Sequence, residues 1–280
     1  MKTLNFVCLL AILLLTSCSS DNDNLLEPIN ETQDLILVKS IESNTHKIDI
    51  YSKSGYFEQG YNKIYFQLKD VNENYINNAS VTWKPMMHMM EMNHSCPYSA
   101  ITRKAESETL YEGYIVFQMP SNGMEFWTIT FEYSINGENF TAEETVEVLM
   151  APKKRINVFT GSDDVRYILA LIEPANPQVA INDMTVGIFK MENMMSFPIV
   201  NNFKLNIDPR MPSMGNHSSP NNVNLTQSTL DNLYHGKLSL TMTGYWKINL
   251  QLLNALDEVI KGEEVTDSNP ESSIFFELEF

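Results

Sequence analysis

The stretch LYEGYIVFQM, Leu110 to Met119, returns further along the chain as LYHGKLSLTM, Leu233 to Met242. Each copy puts a Tyr-x-Gly ahead of a run of alternating apolar residues: Ile115, Phe117 and Met119 in the first, Leu238, Leu240 and Met242 in the second. A period of two marks a strand with one buried face. Outward from these stretches the correspondence continues in one register. Fourteen residues before each tyrosine stands the proline that closes His94-Ser95-Cys96-Pro97 or His217-Ser218-Ser219-Pro220. Upstream, VTWKP (81–85) answers LNIDP (205–209), and downstream Trp127 answers Trp246. So many landmarks in one register indicate a tandem duplication, with its boundary near LMAPKKR, 149–155, where strand pattern gives way to proline and basic residues.

The flanking segments repeat the strand period. Ile64, Phe66 and Leu68 share one face, as do Trp127, Ile129, Phe131 and Tyr133; the second copy answers with Phe203, Leu205 and Ile207, then Trp246, Ile248, Leu250 and Leu252. No long stretch carries the 3.6-residue period of a helix. The sequence therefore reads as all-β, two tandem immunoglobulin-like β-sandwich domains over residues 34–150 and 151–280. Without the inter-sheet disulfide of antibody domains, their cores must rest on apolar packing.

The opening residues MKTLNFVCLLAILLLTSC carry one lysine, a short apolar run and a cysteine after small residues. This is the pattern of a secretory signal over residues 1–17, to be set apart from the fold. Leu15-Thr16-Ser17-Cys18 resembles the lipobox of bacterial lipoproteins. The resemblance implies cleavage before Cys18, acylation of Cys18, loss of Cys8 and stable anchoring to a membrane. Residues 18–33 read as a polar tether. Its acidic start, Ser19-Ser20-Asp21-Asn22-Asp23, resembles the tag that sends lipoproteins to the outer face of the outer membrane. The expected location is thus the cell envelope, lipid-anchored to the outer membrane and exposed at its surface.

With 19 Lys and Arg against 35 Asp and Glu the chain carries a formal charge of −16. Such a balance argues against nucleic acid as a partner. Once Cys18 is acylated, Cys96 is the one remaining thiol, so no internal disulfide is expected.

That thiol sits in the most unusual part of the chain. MMHMMEMNHSCP, Met86 to Pro97, holds five methionines, two histidines and a cysteine; RMPSMGNHSSPNN (210–222) is its counterpart. Each follows a strand read as ending at a proline, Pro85 or Pro209, so both occupy the same corner of the repeated unit. Within them Met89, Met92 and His94, and Met211, Met214 and His217, are the candidate metal ligands, with Cys96 as a further candidate whose role stays open. Thioether sulfur is soft and uncharged, and with imidazole or thiolate it selects Cu(I) over harder ions. The competing readings are core gap-filling, a methionine-rich protein-binding surface and an oxidation sink. A proline-bracketed loop buries few side chains, which weighs against the first.

Other sulfur residues read more simply. Met119 and Met242 fall on core faces, near enough to a sandwich mouth to complete a site. Met191, Met194 and Met195 in KMENMMSFP form a group where the first copy has KDVNENY, read as a turn packed on the sandwich edge with an auxiliary site as the alternative. Met124 lies in a turn, His46 and His235 read as surface residues, and the tryptophans as core anchors.

The order of strand, proline, Met-x-x-Met-x-His-type loop, Tyr-x-Gly strand and Gly244-Tyr245-Trp246 strand resembles the YtkA-like and FixH-like domains. These are small exported β-sandwiches linked to copper handling, some near cytochrome oxidase assembly. MPSMGNHSSP is the closer match; MMEMNHSCP departs from it with Asn93 in place of a glycine-containing spacing. The resemblance implies copper as the bound ion.

No catalytic constellation competes: there is no CxxC, no HExxH, no phosphate loop and no serine-histidine-aspartate candidate. The chain is therefore expected not to be an enzyme. The leading expectation is a membrane-anchored lipoprotein that binds copper, as Cu(I), through one Met/His loop per repeat and buffers, acquires or passes it to another envelope copper protein. The alternative is a metal-free tandem immunoglobulin-like interaction module of the envelope.

Overall fold

The computed structural model describes residues 30–43 and 45–280. The expected signal, Cys18 and all but the last residues of the tether lie outside these. The described chain is all-β, with one 3-10 turn at Pro212–Met214 and no α-helix among the described residues. No described helix is long and apolar enough to cross a membrane.

In the first half, strands Ile36–Glu42, His46–Ser52, Gly60–Asp70, Leu110–Phe117 and Thr102–Arg103 lie side by side in that order. A second sheet has the order Glu138–Val146, Phe126–Ile135, Ser80–His88 and Asn93–His94. The two meet through the faces that the alternation marked. Phe66 of the first sheet stands 5.1 Å from Phe131 of the second in an edge contact, and Trp127, Ile129 and Phe131 are fully buried.

The second half runs through the same order, from Ile156–Thr160 through Arg166–Glu173, Ile181–Lys190, Tyr234–Ser239 and Val223–Gln227, then Lys204–Met211 and Tyr245–Leu253. Here pairing of Lys204 and Leu205 with Thr226 and Leu225 joins what are two sheets in the first half into one curled sheet. Leu205, Leu238, Leu240, Trp246, Ile248, Leu250 and Leu252 are all buried, as their period requires.

Several fixing contacts recur in both halves. The Tyr111 hydroxyl donates to the Ala79 carbonyl at 3.0 Å, and that of Tyr234 to the Val200 carbonyl at 2.8 Å. The glycine two residues on lets another element press against the strand: a Cβ at Gly113 would lie 2.6 Å from Trp83, and one at Gly236 would strike the Val223 carbonyl. The Trp127 and Trp246 indoles donate to the carbonyls of Met119 and Met242 at 2.9 and 3.0 Å.

Glu31–Phe280 forms one contact unit. The halves share a third apolar cluster in which Val116 meets Ile156, Ile168, Ala170 and Phe189, with Tyr114, Met191 and Phe197 packed against it.

Two prolines read as strand ends lie inside strands instead. Pro85 pairs with Ile129 and Pro209 with Ile248, and the strands run on to His88 and Met211. Each proline lies where its strand lacks a ladder partner on the other side, and proline is tolerated at such edges. The methionine-histidine segments are therefore hairpins that fold back on their own strands, Met87 opposite His94 and Met211 opposite His217.

Glu31 fastens the start of the unit. Its carboxylate accepts hydrogen bonds from the Ser107 and Thr109 hydroxyls and from the backbone N–H groups of Glu108 and Thr109, at 2.6 to 3.1 Å. Partial burial would raise its pKa, but these four donors outweigh that and hold the carboxyl down at about 2, from an ordinary 4.5. A depressed folded-state value stabilises the fold above the unfolded value, and this is lost as pH falls from about 4.5 toward 2. Glu31→Gln is thus expected to melt below the wild type at pH 7, with the gap closing as the pH is lowered through that window; a gap independent of pH would contradict the clamp.

Candidate metal centre

The first hairpin turns on four residues. The Met89 N–H donates to the Met92 carbonyl at 3.0 Å, closing the turn, and the chain returns through Asn93 and His94. Met89 is partly buried against the first core, Met92 is 48% exposed and Met90 is 78% exposed. Of the paired positions, Met87 and Met211 are core residues at 0% and 3% exposure. The second loop's Met211 therefore corresponds in the ladder to Met87, not to Met89.

His94 is held from two sides. Its Nδ1 lies 2.7 Å from the Ser95 carbonyl, and its ring meets Trp127 edge-on at 5.8 Å and 90°. A carbonyl accepts only, so Nδ1 carries the proton and Nε2 keeps its lone pair. A ring nitrogen fixed in this way is the usual support for a histidine that ligates through the other one.

Met89, Met92 and His94 line one cleft of about 530 Å3. Three further methionines complete its walls: Met119, at the end of the Tyr-x-Gly strand, and Met191 and Met194, from the second half. Met119 is fixed through its carbonyl by the same indole that abuts His94. The 191–197 turn is a tight hairpin: Met191 N–H donates to the Arg166 carbonyl at 2.8 Å, Glu192 N–H to the Ser196 carbonyl at 3.0 Å, and Met195 N–H to the Asn193 side chain at 2.8 Å. It is joined to the first hairpin by the Ser95 N–H, which donates to the Met194 carbonyl at 2.8 Å.

The remaining walls are Gln118, Val158, Arg166 and Phe197. Gln118 Nε2 is buried without a hydrogen-bond partner among the described residues. An unmet buried donor costs about 1–3 kcal/mol, which a bound ligand offering an acceptor would relieve. Arg166 is the one formal charge on the walls and is exposed, so solvent and salt screen it.

Among the described residues no three histidine, cysteine, aspartate or glutamate side chains gather closely enough to hold a metal ion. The cleft's donor set is instead thioether sulfur with one imidazole, which suits a soft monovalent ion and not a hard or borderline divalent one. Five thioethers and one imidazole in one cleft exceed what Cu(I) uses, and methionine's three rotatable bonds let a subset close on an ion much smaller than the cleft.

The structure separates the other sequence candidates from this site. Cys96 is 1% exposed in the first core and does not line the cleft. Its counterpart Ser219 is buried as well and donates to the Ser239 carbonyl, so the position is a core slot in both halves. Burial pushes the Cys96 thiol well above its ordinary range, against a modest opposing effect of the Val116 N–H. A thiol must ionise to ligate, so this environment disfavours it. In the second loop Met211 faces the core, while Met214, in the 3-10 turn, is 57% exposed and His217 is exposed. None of the five principal clefts is lined by these three. His88, the hairpin's other histidine, stacks on Phe126 at 4.9 Å and its Nε2 lies 3.0 Å from the Thr128 hydroxyl.

The sequence suggests for Met191 and Met194 a turn on a sandwich edge, with an auxiliary site as the alternative, and does not place them beside His94. The available signal was the methionine group itself, present in one copy and absent from the other. No protein-family model matches the chain, and no curated protein matches it.

Burial and a raised pKa together predict that iodoacetamide leaves Cys96 unmodified in the native protein and alkylates it after denaturation, as read by peptide mass spectrometry. Rapid native labelling would put the thiol at the surface and reopen it as a ligand.

Proposed function

We propose that the protein is an exported, lipid-anchored envelope protein that binds copper as Cu(I) in the cleft of Met89, Met92 and His94, and buffers it or hands it to another envelope copper protein. The observation that carries this reading is the meeting of five methionines and one histidine, with Nε2 free to ligate, around a single open cleft. Methionine used to fill a core leaves no void, whereas here the thioethers border about 530 Å3 of open space. A chain charge of −16 adds a field that favours a cation. Partial exposure of Met92 and Met194 gives a partner access to the ion, as transfer requires.

The halves are read as two immunoglobulin-like sandwiches produced by duplication. Their shared strand order and the two tyrosine hydroxyls bonded to upstream carbonyls, the corner that such sandwiches use, support this. The lipid anchor at Cys18 and the outer-membrane location rest on the sequence pattern. A second reading, a metal-free docking surface, is favoured by Met90 and Met124, which are 78% and 71% exposed and lie outside the cleft.

An anaerobic Cu(I) titration against a competing chelator tests the first reading. The wild type is expected to bind well below micromolar, and His94→Ala to weaken binding tenfold or more. Micromolar or weaker binding that His94→Ala leaves unchanged would leave only the docking surface. In the same assay Arg166→Gln, which removes the one positive charge on the walls, is expected to tighten binding severalfold at low salt and less at high salt. Weaker binding by Arg166→Gln would show that the guanidinium supports the site.

A further inference from the structure

The copper reading leaves open how many ions a chain holds and which half supplies their ligands. A duplicated loop suggests one ion per repeat, yet the two loops are built differently. Met211 occupies the core position that Met87 holds in the first half, which leaves Met214 and His217 in solvent. Three further methionines of the second half, Met191, Met194 and Met195, lie elsewhere, in the 191–197 turn, where the first half has no methionine. That turn faces the first half's hairpin. Its Met191 and Met194 line the same cleft as Met89, Met92 and His94.

Their placement is fixed by backbone. The Ser95 N–H, on the residue after His94, donates to the carbonyl of Met194. The residue that follows His94 is therefore tied directly to Met194 by one backbone hydrogen bond. Met191 is held by its N–H to the Arg166 carbonyl and packs against the cluster shared by the halves. A purely structural role would bury the Met194 side chain, but it remains 41% exposed on the wall of the open cleft.

Resting on the copper reading, we infer that Met191 and Met194 are ligands to the same Cu(I) as Met89 and His94, so that the chain has one site shared by its two halves. The ion then crosslinks the halves, and its binding stabilises their packing as well as the hairpin.

The test uses the mature protein with Cu(I) and a competing chelator under anaerobic conditions. Met191→Leu/Met194→Leu replaces both thioethers at nearly constant volume, and melting without copper establishes that it folds. The expected result is one Cu(I) per wild-type chain, affinity at least tenfold weaker in this double variant, and a copper-induced rise in melting temperature that shrinks with it. Met214→Leu/His217→Ala, at exposed positions, is expected to change neither stoichiometry nor affinity. If His94→Ala weakens binding while Met191→Leu/Met194→Leu does not, the shared site is overturned and the copper reading stands. Two ions per wild-type chain, with one lost in Met214→Leu/His217→Ala, also overturns it. If the wild type takes up no Cu(I), both fall.

Discussion

The buried indole of Trp127 fixes the cleft from the side of the first half. Its N–H is committed to the Met119 carbonyl and its ring meets His94 edge-on, so one rigid side chain positions a thioether strand end and an imidazole together. Trp246 makes the corresponding bond to Met242 in the second half, but the histidine there is exposed and lines none of the five principal clefts. The first half's hairpin thus borders a cleft that the second half helps to wall, whereas the second half's counterpart loop is exposed.

The join between the halves supplies what the first scaffold lacks. Val116, Ile168 and Phe189 bury the interface, and the Ser95-to-Met194 hydrogen bond sets the register of one turn against the other. The second half's 191–197 turn carries methionines that line the cleft with those of the first half, so the cleft lies where the halves adjoin. A site divided between packed halves ties occupancy to their contact.

The core was legible in the sequence because it follows a simple rule. Alternation placed Phe66, Ile115, Phe131, Leu205, Leu238 and Ile248 inside, and all are buried. The position of Met89, Met92 and His94 along one wall was also foreshadowed, since short spacing on a hairpin keeps neighbours together. The prolines misled because a proline signal marks either the end of a strand or an unpaired edge, and only the sheet order distinguishes the two. The role of Cys96 stayed open in the sequence because its neighbours there do not show that it packs into the first core. Met191 and Met194 lay beyond reach because no local spacing records which face of one half abuts the other.

The most direct measurement is X-ray absorption at the copper edge on the Cu(I)-loaded mature protein, with and without the Met191→Leu/Met194→Leu substitutions. The expected result is a first shell dominated by thioether sulfur with a single imidazole nitrogen, and a loss of sulfur scattering in the variant. A shell of nitrogen and oxygen alone, or a sulfur shell unchanged by the substitutions, would contradict it.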